Sequence, residues 1–76
     1  MTVQNIDASF VLIRTDDSII ISARSNGKIN VQLIIEKLGG GGHYDSAGAQ
    51  IKDSTSREVI ENLKKAIDEY LDGEDN

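Results

Sequence analysis

Four consecutive glycines, Gly39 to Gly42, stand immediately before the chain's single histidine, His43. Such a run is costly inside a regular element, because each glycine loses more backbone entropy on folding than a residue with a side chain. The run therefore divides the sequence and marks a connection. Ahead of it, Asn30 is placed as an N-cap, and Val31, Ile34, Ile35 and Leu38 follow at i, i+3, i+4 and i+7. That spacing predicts a helix of about two to three turns, with Gly39 as the glycine that ends it. Leu33 falls off the apolar face and reads either as a surface leucine or as a contact with a neighbouring domain.

The remaining elements arrange themselves around this break. Ser9 to Thr15 is rich in β-branched and aromatic residues and reads as a strand. Asp16-Asp17 is a polar break of hairpin length, and Ser18 to Ser25 is a second strand. Alternation puts Ile19, Ile21 and Ala23 on one face of it and Ile20, Ser22 and Arg24 on the other. Apolar residues on both faces suit a sheet covered on two sides, and in so short a chain one cover is expected to be missing. Ala47 to Lys52 is a third strand. Thr55-Ser56-Arg57-Glu58 fits a capping box, and Val59, Ile60, Leu63, Ala66, Ile67, Tyr70 and Leu71 keep a helical period behind it. Gly73 is expected to end that helix, with residues 73–76 as a frayed tail. The order β-β-α-β-α predicts an α+β (α/β-like) fold: a small mixed three-stranded sheet with both helices on one face. If the second and third strands are parallel, the helix between them makes a right-handed crossover.

Composition bounds the functional classes. At 76 residues the chain is one small domain, and its apolar content of 38% lies below the usual range of about 45–50%. It has no cysteine, so disulfides and Cys-type zinc sites are excluded, and one histidine excludes a His-cluster metal centre. There is no apolar run of membrane-spanning length, and Met1 to Asn5 lacks the features of a signal peptide. A soluble, cytoplasmic domain without membrane contact is expected. The net charge of −5 argues against a protein that coats nucleic acid. Most of the acidity sits in residues 56–76, which carry seven acidic and three basic groups.

A helix stop explains one or two glycines, and a plain linker would account for the rest. Four glycines with a histidine beside them also suit a backbone that a ligand approaches closely, because successive unobstructed N–H groups can form a concave anion site. This is neither a P-loop nor a dinucleotide fingerprint, since those put their glycines before a helix. Here the glycines follow one, and its C-terminal dipole disfavours an anion. The favourable field must come from the loop amides of Gly39, Gly40, Gly41 and Gly42 and from cations. His43 and Arg24 are the candidates, with Ser22 and Ser25 as possible hydroxyl donors. Taken singly, His43 reads as a structural or exposed histidine and Arg24 as a solvated strand end. Beside the glycine run, both point to phosphate contact.

Ser22-Ala23-Arg24-Ser25, Ile29-Asn30-Val31-Gln32, and Gly39 to His43 followed by Ala47-Gly48 resemble the second lobe of DHH-family phosphoesterases, the DHH-associated domain. The similarity extends over nearly the whole chain. Its flanks, Ala8-Ser9-Phe10-Val11 and Leu63 to Leu71, are similar to the C-terminal end of the membrane-anchored cyclic di-AMP phosphodiesterases. Asp45-Ser46-Ala47-Gly48 departs slightly from the small-residue pattern after the histidine. The resemblance implies a first lobe, absent here, whose Asp and His side chains hold two metal ions, typically manganese, that activate water for attack on a phosphodiester. It implies that residues 1–76 are the substrate-binding lobe, a C-terminal fragment needing no cofactor of its own and not catalytic alone. Arg24, Gly39 to Gly42 and His43 would bind the phosphate and nucleotide of a cyclic or linear dinucleotide. The upstream lobe would be the partner, and any membrane helices of the parent would lie upstream as well.

Three other readings remain at this level. The lobe could serve an oligoribonuclease or single-strand exonuclease of the same superfamily. It could be an RNA-binding module like that of alanyl-tRNA synthetases, although an acidic chain with three aromatic residues offers little for base stacking. A purely structural interaction domain would leave the glycines unexplained.

Overall fold

The computed structural model describes residues 2–4 and 7–74. Its elements are β1 (Thr2–Gln4), β2 (Ala8–Arg14), β3 (Ser18–Ser25), α1 (Val31–Glu36), β4 (Gly41–His43), β5 (Ser46–Lys52) and α2 (Ser56–Glu74). Among the described residues the sheet has five strands in the order β1-β2-β3-β5-β4, and every adjacent pair is antiparallel. The fold is α+β, as expected, but the expected sheet was mixed and three-stranded and the element order shorter by two strands. The difference has one main cause. Gly41–His43, expected as part of a loop, pairs with β5 as an edge strand. That added hairpin reverses the chain, so β5 returns antiparallel to β3 rather than parallel to it. The strand that runs parallel to β3 after α1 is β4, with β5 lying between them.

One sheet face and both helices enclose the core. Ala8, Phe10 and Leu12 of β2, Ile19, Ile21 and Ala23 of β3, and Ala47 and Ala49 of β5 are buried with Val31, Ile34 and Ile35 of α1 and Val59, Leu63 and Ala66 of α2. The cross-strand register makes this a single surface, because Phe10 faces Ala23, which faces Ala47, and Leu12 faces Ile21, which faces Ala49. The small residues on β5 leave room for α1 to approach. Among the described residues no element covers the other sheet face: Val11, Ile13 and Ile20 stay 38%, 54% and 38% exposed.

Local signals place the helix ends. Asn30 caps α1 by accepting a hydrogen bond from the Leu33 N–H. Thr55 Oγ1 accepts from the Glu58 N–H at 3.1 Å at the start of α2 and donates to the Glu58 carboxylate. Gly39 has φ +87°, the left-handed conformation that closes a helix C-terminus. Gly73 does not end α2, which runs through it to Glu74, and the last two residues of the expected frayed tail lie outside the described residues.

Candidate functional site

The register of the open sheet face brings separate parts of the sequence into two adjacent rows. Ser9 on β2 pairs with Arg24 on β3, Arg24 with Ser46 on β5, and Ser46 with His43 on β4. The next row holds Val11, Ser22, Gly48 and Gly41. Directly paired residues share a face, so Arg24 and His43 project from the same side two strands apart, about 10 Å between backbones. Arg24 Nη1 donates to Ser46 Oγ at 2.8 Å, which turns the guanidinium toward the β4 edge. Beside this row, Gly41 and Gly48 present main chain without side chains.

Three glycines of the run are required by the fold itself. Gly39 needs its positive φ. A Cβ on Gly40 would collide with the Gly48 carbonyl oxygen and come within 2.6 Å of Ala49 Cβ. Gly42 has φ +147°, and a Cβ there would lie 2.6 Å from both Ala47 Cα and the Ser46 carbonyl oxygen. Gly41 differs: its φ is not in the positive region, and a Cβ would meet nothing within 4 Å. The four amides also do not act together. The Gly39 N–H donates to the Glu36 carbonyl and the Gly40 N–H to the Ile35 carbonyl, so both are committed to closing α1. A nest made by the whole run, as expected from sequence, is therefore not formed.

The hairpin that carries His43 is tied down on both sides. The Tyr44 carbonyl accepts from the Val31 N–H at 2.8 Å, and the Asp45 carbonyl accepts from the Ser25 N–H at 3.0 Å. This two-residue turn fixes the β4 edge to the start of α1 and the end of β3. Of the two candidate serines, Ser22 is exposed on the open face beside Gly48. Ser25 has the parity of the opposite face, and its hydroxyl donates to the Ile29 carbonyl and accepts from the Gly27 N–H. It shapes the Asn26–Lys28 loop and does not join the rows.

Sequence reading missed Ser46 and the pairing of Gly48 with Gly41. The available signal was the two-residue Tyr44-Asp45 turn, which places Ser46 opposite His43. Charge is also segregated by layer. The open-face positions of β2 to β5 include Arg24, His43 and Lys52 and no Asp or Glu, whereas the acidic side chains among the described residues lie on α2, α1 and the turns. Among the described residues no group of three His, Cys, Asp or Glu side chains is close enough to hold a metal ion.

A protein-family model, the DHHA1 domain, matches residues 2–73. The chain is 52% identical over 75 residues to the cyclic-di-AMP phosphodiesterase PdeA of Listeria monocytogenes, covering 97% of this chain and 11% of that protein. It is 45% identical over 74 residues to the cyclic-di-AMP phosphodiesterase GdpP of Bacillus subtilis, covering 96% of this chain and 11% of the relative. A more distant relative is the bifunctional oligoribonuclease and PAP phosphatase NrnA of Thermus thermophilus, 36% identical over 63 residues, covering 83% of this chain and 19% of that protein. The chain thus spans a small part of the length of each. The family match runs through both helices and every strand that builds the open face, and this chain belongs to the DHHA1 domain family.

Proposed function

We propose that the open sheet face is the phosphate- and nucleotide-binding surface of a two-lobed phosphodiesterase acting on cyclic dinucleotides such as cyclic di-AMP. The observation that carries this reading is the shared row of Arg24 and His43 beside the side-chain-free Gly41–Gly48 pair. Arg24 supplies a fixed positive charge and planar donors for phosphate oxygens. His43 supplies a second donor from the far side. Gly41 and Gly48 let a ligand reach the main chain between the Ser22 hydroxyl and the β4 edge.

Metal-assisted attack of water on the phosphodiester belongs, in this reading, to the other lobe. Among the described residues no cluster fits a metal centre, and in this reading manganese would be held by Asp and His side chains elsewhere in the parent protein. The domain's part is to bind and orient. It works in the cytoplasm, with any membrane attachment of the parent upstream of it. Among the described residues no helix is long and apolar enough to cross a membrane.

The test uses the full-length protein and cyclic di-AMP. His43→Ala should lower kcat/KM roughly 10- to 100-fold, the loss expected for one charge-assisted phosphate contact. Wild-type turnover with an unchanged KM would overturn the reading.

A linear-dinucleotide substrate is a second reading, favoured by the similarity to a relative named as an oligoribonuclease. Competition between linear and cyclic dinucleotides in the full-length protein separates the two. A general RNA-binding module has less support. Phe10 is buried in the core and the Tyr70 hydroxyl is engaged with α1, which leaves Tyr44 as the exposed aromatic ring among the described residues.

A further inference from the structure

The structure assigns Ser46 as a positioning residue that holds Arg24 in the orientation needed for phosphate binding, an inference that rests on the reading of the open face given above. Arginine at an exposed strand end has many rotamers, and binding must immobilise it. Here one partner already does so: Arg24 Nη1 donates to Ser46 Oγ at 2.8 Å. The geometry has a direction. Ser46 is the cross-strand neighbour of Arg24 on one side and of His43 on the other, so the bond draws the guanidinium across the sheet toward the histidine.

The chemical identity of the holder matters as much as its place. A serine hydroxyl accepts the guanidinium hydrogen bond without carrying charge, so Arg24 keeps its full positive charge for a ligand. A carboxylate at position 46 would hold the guanidinium more tightly but neutralise it and repel an incoming phosphate. The open-face positions of β2 to β5 contain no acidic residue, and a neutral holder preserves that field. The guanidinium also retains its other N–H groups for phosphate oxygens while Nη1 is engaged.

The experiment is a set of steady-state measurements on the full-length protein with cyclic di-AMP. Ser46→Ala should raise KM roughly 3- to 10-fold with kcat within about 2-fold of wild type. Ser46→Thr keeps the hydroxyl and should restore KM to within about 2-fold. Ser46→Asp should raise KM more than Ser46→Ala does; if position 46 only braced the sheet, the stronger pair formed by aspartate would leave KM at or below the alanine value. In an Arg24→Ala background, Ser46→Ala should add nothing, because a residue acting through Arg24 has no effect once Arg24 is gone. Additive losses, or a Ser46→Asp variant that binds as well as wild type, would overturn the positioning role while leaving the binding face intact. An Arg24→Ala variant with wild-type KM would instead overturn the reading of the face itself.

Discussion

Each glycine of the run Gly39 to Gly42 meets a different demand, and the demands are separable by substitution. Gly40 packs closely against the Gly48 carbonyl and the Ile35 and Ala49 side chains, so Gly40→Ala must push apart α1 and β5 and should destabilise the chain by roughly 1–3 kcal/mol in urea unfolding. Gly41→Ala meets open space at an ordinary φ and should leave stability unchanged or raise it by about 0.4–1 kcal/mol. If the open face takes a ligand against its main chain, the same Gly41→Ala should weaken substrate binding in the full-length protein about tenfold, one methyl's worth of steric exclusion being enough for such a loss. A Gly41→Ala variant that binds normally would remove close backbone approach from the reading. The run was conspicuous in the sequence. Gly39 as the helix stop was legible too; that Gly40 and Gly42 are fixed by packing was not, because their neighbours come from α1 and β5 and are defined only once the hairpin forms.

At the scale of elements, the two helices are joined to each other and to the sheet by few but specific bonds. The Asn30 N–H donates to the Tyr70 hydroxyl at 2.9 Å, linking the N-terminus of α1 to the last turns of α2. Tyr70→Phe leaves that N–H without its partner and should cost about 1 kcal/mol. Thr55→Ala removes the α2 cap and should cost about 1 kcal/mol. Chemical denaturation of the single variants reads both, and the double variant should be close to additive, since the two sites lie at opposite ends of α2. The Lys37–Glu69 pair at 3.3 Å joins the helices too, but with side chains 41% and 51% exposed it adds at most about 1 kcal/mol. Both helices were legible because their signals are local: a capping residue, an apolar period and, for α1, a closing glycine. β4 was not legible, because Gly-Gly-His has no strand propensity of its own and becomes a strand only by pairing with β5.

For the molecule as a whole, the sheet divides a covered face from an open one. Ile21 is 1% exposed on the covered face and Ile13 is 54% exposed on the open face. Ile21→Ala should therefore cost about 2–5 kcal/mol, whereas Ile13→Ser should stay within about 0.5 kcal/mol of wild type in the same unfolding assay. The division also resolves the net charge of −5. Acidic side chains are carried by the helical layer and the turns, while the open face keeps Arg24, His43 and Lys52 free of acidic neighbours on its own strands. An overall negative charge thus does not preclude an anionic ligand. Its binding should weaken as ionic strength rises, because exposed charges are screened over about 8–10 Å in ordinary buffers. A KM for cyclic di-AMP that is insensitive to salt would count against Arg24 and His43 as the main phosphate contacts.

The order of residues along the chain was sufficient for the α+β class, both helices, the β2–β3 hairpin and the family. These depend on short-range chemistry or on motifs that stay together in one stretch. Tertiary structure alone decided that β4 is a strand, that β5 runs antiparallel to β3, that Ser46 joins the row and Ser25 leaves it, and that Gly41 is the member of the run that combines open space with an ordinary φ. Each of those depends on strand register, and shifting a pairing by one residue exchanges the two faces of a strand. Register is set by long-range pairing and by packing against the helices, neither of which a local window of sequence contains.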